Sequence, residues 1–242
     1  MKIFKSLNMC AYKGNDRLPL KLIQVDSVDG KLRLTSSNGV SLACYIFKKI
    51  KNDKIYYATS KMISELSKED SFSFKKGKLN DFSLIKDGES VKLCDTETKI
   101  GSWSNKDCSE HFPNVDSVIP SKFFYSYSID RKELYKAIKG EDYVSLKFSG
   151  NKLYVYSSKY HIKSYKVTKS SKHKACLKVK ELSGNDVEEI LHFDAKILKA
   201  TLTFPYNDIT IGFNNRVSAF GIYYESEKIN IKNLAMPMFS RD

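Results

Sequence analysis

The stretch DGKLRLTSS at 29–37 returns as GNKLYVYSS at 150–158. Each opens on a turn signal and continues with the alternation of a half-buried strand. Lys31, Leu32, Leu34, Ser36 and Ser37 fall opposite Lys152, Leu153, Val155, Ser157 and Ser158. Upstream of each copy lies a short basic amphipathic segment, IFKSL at 3–7 and LYKAI at 134–138, with apolar ends and a lysine in the middle. Downstream of each comes a second helix candidate, SKMISELSKED at 60–70 and DAKILKATLTF at 194–204. Ser60 and Asp194 are their N-caps, because a short polar side chain there accepts from the free N–H groups of the first turn. Strand-like runs follow, FSLI and SVKLCD in the first half, DITIGF and VSAFGIYY in the second. The shared order of helix, strands, helix, strands predicts an α+β chain of two repeated domains, each with two helices packed on antiparallel sheets.

Between the halves runs HFPNVDSVIPSKFF at 111–124. Pro113 and Pro120 each bar helix and central-strand continuation, since proline lacks the N–H that either element needs. The segment therefore reads as a linker, with domains expected at 1–118 and 119–242.

With 242 residues, 41% hydrophobic and 12% aromatic, each half has enough apolar surface to offset the entropy lost on folding. Lys and Arg number 41 against 28 Asp and Glu, a formal net charge of +13. That balance favours a polyanionic partner over an acidic substrate, although the abundance of Lys, Ile, Asn, Tyr and Phe also suits an AT-rich coding sequence. Cys10, Cys44, Cys94, Cys108 and Cys176 are odd in number and scattered, with no C-x-x-C and no histidine at metal-ligand spacing, which fits a reduced compartment. The opening MKIFKSLNMCAYKGNDR lacks a signal-peptide core, and no run approaches the ~18–20 apolar residues of a membrane span. The expectation is a cytoplasmic protein without a membrane partner.

An enzyme reading finds little support. His111, His161, His173 and His192 have no partners at motif spacing, and no G-x-S-x-G, P-loop or H-E-x-x-H occurs. A nuclease would need a carboxylate cluster for its metal ions, and the sequence offers none. The expectation is no catalytic residue, no metal and no cofactor.

The basic residues have a pattern. In the helix candidate 130–139, Lys132, Lys136 and Lys139 stand at i, i+4 and i+7, opposite Leu134, Ala137 and Ile138. In 194–203, Lys196, Lys199 and Thr203 stand against Ile197, Leu198 and Leu202; in 60–68, Lys61, Ser64 and Lys68 stand against Met62, Ile63 and Leu66. Lys5 and Arg131 join this basic set. Lysine stripes without interleaved aromatics suit sequence-independent phosphate contact better than base readout or single-strand stacking. The expected partner is duplex DNA.

Four segments in order along the chain resemble the second and third domains of the bacterial DNA polymerase III beta sliding clamp. RLPLKLIQVDSVDGKLRLTSSNGVSLA at 17–43 is similar to the second-domain segment that builds part of a peptide pocket, and FPNVDSVIP at 112–120 to the linker between those domains. SIDRKELYKAI at 128–138 resembles the helix opening the third domain, and LAMPM at 234–238 the family's ending. The resemblance implies a DNA-clamp fold and a non-catalytic processivity factor that encircles duplex DNA and tethers a DNA polymerase. It also implies that Leu20, Ser37, Gly39, Leu42, Pro113, Val118, Met236, Pro237 and Met238 form a pocket for short peptide motifs of polymerases and clamp loaders. Val40 and Ser41 replace the family's His-Arg, Ser117 replaces a linker Arg, and FSRD follows Met238.

The family's first domain has no counterpart, so assembly follows from geometry. If each repeat lines a ring with two helices about 10 Å across, six repeats leave a hole of roughly 28 Å and four leave roughly 15 Å. Groove depths of about 8 Å on either side of the base pairs put a duplex at roughly 20 Å. Three two-domain chains fit and two do not, as in the trimers of eukaryotic and archaeal clamps, so a homotrimer is expected. The alternatives are a clamp-like DNA-binding accessory that forms no ring, and a DNA-processing enzyme.

Overall fold

A computed structural model describes residues 2–14, 17–51, 56–59, 73–76, 82–86, 89–92, 111–158, 172–184 and 190–238. The chain divides into two compact units, residues 1–118 with 225–231, and residues 119–224 with 232–242.

Unit 1 begins with α1 (Lys2–Cys10), whose Ser6, Leu7 and Cys10 are buried while Lys5 and Met9 are exposed. A 3-10 turn at Leu18–Lys21, opened by Pro19 near its start, leads into β1 (Leu22–Val28), β2 (Lys31–Ser37), β3 (Ser41–Lys51) and β4 (Tyr56–Thr59). These pair antiparallel in the order β4-β1-β2-β3. The β1–β2 hairpin turns on Asp29 and Gly30, both at positive φ (51° and 70°). Two residues of that conformation make the turn whose twist matches the strands, and Asp-Gly is a pair that adopts it readily. The 225–231 segment joins this unit through Lys48 of β3, whose N donates to Lys228 O (2.9 Å) and whose Nζ contacts Glu225 (2.7 Å). A further antiparallel sheet comprises β5 (Ser73–Lys76), β6 (Phe82–Lys86) and β7 (Glu89–Lys92). The helix expected at 60–70, with Lys61 and Lys68, lies outside the described residues.

Unit 2 opens with β8 (Tyr125–Asp130), α2 (Arg131–Ile138), β9 (Tyr143–Ser149) and β10 (Lys152–Ser158). It continues through β11 (Lys172–Lys178), β12 (Lys180–Ser183), β13 (Ile190–Asp194), α3 (Ala195–Thr201), β14 (Asp208–Phe213), β15 (Phe220–Glu225) and the 232–235 part of β16 (Ile229–Ala235), whose first three residues belong to unit 1. One antiparallel sheet runs β11-β10-β9-β13 and the other includes β12-β8-β14-β15-β16. Both helices are capped as their sequences require: Asp130 Oδ1 accepts from Glu133 N (2.9 Å), and Asp194 Oδ1 accepts from Lys196 N (2.7 Å) and Ile197 N (3.4 Å). The core is aromatic, with Tyr127, Phe148 and Phe213 stacked at 4.5–6.4 Å between ring centroids. Phe123 lies over Gly212 and Gly221, which face each other across β14 and β15; a Cβ on either would come within 2.3 Å of its ring.

The two units share a plan. The order β4-β1-β2-β3 behind α1 matches β13-β9-β10-β11 behind α2. DGKLRLTSS and GNKLYVYSS thus supply equivalent strands, β2 and β10, and the α+β architecture expected from the repeat is present.

Candidate nucleic-acid interface and peptide-binding residues

Helix α2 buries Leu134, Ala137 and Ile138 and leaves Lys132, Lys136 and Lys139 exposed. Helix α3 buries Ala195, Leu198, Ala200 and Thr201, exposes Lys196 and half-buries Lys199. The two helices pack against each other, so five lysines of the expected DNA-facing set belong to one helix pair. Glu133 is exposed beside them on α2, and the half-buried caps Asp130 and Asp194 stand two residues from Lys132 and Lys196. Lys5 is exposed on α1 of unit 1.

Two residues take places other than the expected ones. Arg131 is buried (6% exposed), not solvent-facing. Its Nε donates to Tyr206 O (2.6 Å), its Nη1 donates to Leu202 O (2.9 Å), and its guanidinium lies 5.5 Å from the Phe204 ring centre. It clamps the turn after α3 and offers nothing to a phosphate. Thr203 is likewise buried, its hydroxyl donating to Lys199 O (2.7 Å).

Six of the expected pocket residues belong to unit 1. Leu20 is buried in the 3-10 turn, its carbonyl accepting from Tyr12 N (2.9 Å), and that turn packs on β1 and β2. Ser37 and Leu42 face each other across the β2–β3 pair, and Ser37 Oγ donates to Ser41 O (3.0 Å) and accepts from Gly39 N (3.1 Å). Gly39 holds φ +88°, where a larger residue is strained. Leu20, Ser37, Gly39 and Leu42 therefore come together at one end of the sheet. Pro113 is half-buried, and Val118, ending a helical turn at Val115–Val118, is 43% exposed.

The remaining three belong to unit 2, after β16: Met236 is exposed, Pro237 buried and Met238 half-buried, with Met238 N donating to His192 O (2.7 Å). Val40, named in the sequence only as a departure from the family, is also exposed at 43%.

A feature with no signature in the sequence fixes the linker. Arg33 of β2 sits opposite Asp26 of β1 and donates to it twice, Nε to Oδ1 (2.8 Å) and Nη2 to Oδ2 (2.6 Å). Its Nη1 reaches Asp116 in the 115–118 turn. The hydrogen bonds that Arg33 donates to Asp26, helped by the one to Asp116, raise its pKa further and keep it charged despite burial.

No group of three or more His, Cys, Asp or Glu placed to hold a metal ion occurs among the described residues. Among them, too, no helix is long and apolar enough to cross a membrane.

No protein-family model and no curated protein sequence matches the chain. Solved structures do. A DNA polymerase sliding clamp from Pseudomonas aeruginosa superposes with a TM-score of 0.69 at 14% identity, covering 98% of this chain and 64% of that one. DNA polymerase III subunit beta from Borrelia burgdorferi gives 0.71 at 17%, covering 98% and 60%. The Helicobacter pylori beta clamp gives 0.68 at 19%, covering 98% and 63%. The chain thus spans 60–64% of the length of these solved clamps. Over 98% of its residues the chain has the fold of the DNA polymerase III beta sliding clamp.

Proposed function

We propose that this chain is a DNA sliding clamp, a non-catalytic processivity factor that encircles duplex DNA and tethers a DNA polymerase through short peptide motifs. The observation that carries the reading is the helix pair α2–α3, with Lys132, Lys136, Lys139 and Lys196 exposed and Lys199 half-buried, set in a fold shared with sliding clamps. Lysine heads on a helix face meet phosphates without reading bases, which is what a protein that must move along any sequence requires. Unit 1 is the counterpart of the clamp's second domain and unit 2 of its third. Leu20, Ser37, Gly39, Leu42, Pro113, Val118 and Met236–Met238 grip polymerase and clamp-loader peptides. Three chains close the ring, because two would leave too narrow a hole. The protein works in the cytoplasm.

Retention on DNA tests this reading. A closed ring holds DNA topologically, so protein loaded on a nicked circle should survive salt that strips it from short linear duplex. Linearising the circle should release it. Light scattering should report three times the 27.7 kDa chain mass, and a stable monomer or dimer at all workable concentrations would overturn the ring.

The reading to be told apart from it is a clamp-like accessory that docks on DNA by charge without encircling it. Such a protein would leave circular and linear DNA at the same salt concentration.

A further inference from the structure

The outward face of the sheet β11-β10-β9-β13 is basic and aromatic at once over β11, β10 and the Lys147–Ser149 end of β9; further across, Ser145, opposite Tyr156, and His192 of β13 are buried. In β10, Leu153, Val155 and Ser157 are buried, so Lys152, Tyr154 and Tyr156 lie on the opposite face. The register places Lys147 of β9 and Cys176 of β11 on either side of Tyr154, and Ser149 and Lys178 on either side of Lys152. The His173 ring joins the tyrosines, 6.2 Å from Tyr154 and 5.6 Å from Tyr156 between centroids.

Lys152 and Lys178 stand directly across from each other. A like-charge pair in that position costs stability, and among the described residues neither has an acidic partner. Both line a groove of about 820 Å³ with Lys180 and Tyr154. Across the edge strand, Lys178 also borders a groove of about 660 Å³ shared with Lys136 of α2 and with Lys174, which is paired to Glu141.

The first copy of the repeat treats the same face differently. Arg33 and Thr35, the counterparts of Tyr154 and Tyr156, are buried, and Arg33 is held by Asp26 and Asp116. In the second copy those places carry half-buried rings beside the exposed Lys147, Lys152 and Lys178.

We propose that this face of unit 2 binds single-stranded nucleic acid, with Tyr154 and Tyr156 stacking on bases while Lys147, Lys152 and Lys178 neutralise phosphates. Rings set among cations are the combination that holds a flexible strand without regard to sequence. Duplex DNA hides its base faces and cannot use the rings, and an acidic protein segment would use the lysines alone.

The test is fluorescence anisotropy of the full chain with a labelled oligo-dT of about 16 nucleotides, within the usual range of single-strand site sizes. Replacing both Tyr154 and Tyr156 with Ala should weaken binding about tenfold or more, the size expected from losing one or two stacked bases. The Tyr→Phe pair should bind like the parent, because a phenyl ring still stacks. Lys152→Glu with Lys178→Glu should abolish binding, while the same charge change at the exposed Lys49 and Lys122 should leave most of it. A linear oligonucleotide cannot be held topologically, so the result stands apart from whether the protein forms a ring. Unchanged affinity in a Tyr→Ala variant with the parent's circular dichroism would overturn the proposal. So would displacement of the oligonucleotide by polyglutamate at the same charge concentration as by unlabelled oligo-dT, which would assign the face to an acidic protein.

Discussion

Arg33 and Asp26 face each other across the β1–β2 pair and are joined by two hydrogen bonds, with both side chains 7% exposed. The same guanidinium holds Asp116, whose side chain is 68% exposed. The two carboxylates therefore have unequal value. Asp26→Ala strands a buried cation and should cost about 3–5 kcal/mol. Asp116→Ala removes a solvent-screened partner and should cost at most about 1 kcal/mol. Urea denaturation of the two variants checks the ranking, and equal losses would show that the exposed Asp116 matters as much as the buried Asp26.

Arg131 and Lys132 are neighbours with opposite fates. Arg131→Met should destabilise unit 2 by about 2–4 kcal/mol, because the carbonyls of Leu202 and Tyr206 lose a charged donor. The folded fraction should keep its hold on DNA. Changing Lys132, Lys136 and Lys139 to Glu should do the reverse, leaving the melting temperature nearly unchanged while impairing loading on nicked circles. On linear duplex, the dependence of log affinity on log salt should flatten by about one for each phosphate that the variant no longer neutralises.

Thiol chemistry provides an independent check on burial. Cys176 is exposed and should react at once with a thiol reagent, whereas Cys10 and Cys44 are buried and should react only on unfolding. Burial pushes the Cys10 thiol from 9.0 up to about 12, so the folded state keeps a proton that the unfolded state releases. That contribution to stability is intact below pH 9.0 and is lost as pH rises towards 12. Cys10→Ala should therefore show a shallower decline in stability across that window, followed by denaturant titration at each pH. A parallel decline would mean that the thiol is not sealed from water.

The chain end bears on partner binding. Truncation after Ala235 removes Met236, Pro237 and Met238 together with the Met238–His192 hydrogen bond. A peptide with a Gln near its start and a Leu-Phe end should bind the full chain with micromolar affinity, on the order of 8 kcal/mol, and lose binding to the truncated one. Fluorescence polarisation on protein shown to be folded measures both. Equal affinities would place the pocket elsewhere.

Much of the fold was legible because local chemistry and tertiary structure agree. The alternation at 31–37 and 152–158, the Asp29-Gly30 turn and the cap Asp194 each act within a few residues, where sequence patterns are strong. Arg131 was misplaced by residue type. Its spacing, three before Leu134 and seven before Ile138, puts it on the apolar face of α2, but an arginine there looked like surface until carbonyls from the turn after α3 supplied its partners. Thr203 failed for another reason: α3 ends at Thr201, and helical periodicity carried past the end of a helix predicts nothing. The Arg33–Asp116 contact, 83 positions apart along the chain, leaves no periodic trace. The expected pocket residues are scattered in the same way and could be named only through resemblance.

Residues 225–231 belong with the unit that residues 1–118 begin, and this matters during synthesis. A ribosome adding roughly 5–20 residues per second delivers that segment only after another hundred or so residues, on the order of ten seconds after Val118. Until then the nascent first unit lacks the segment that bonds to Lys48, leaving backbone groups of β3 open to neighbouring chains on the same message.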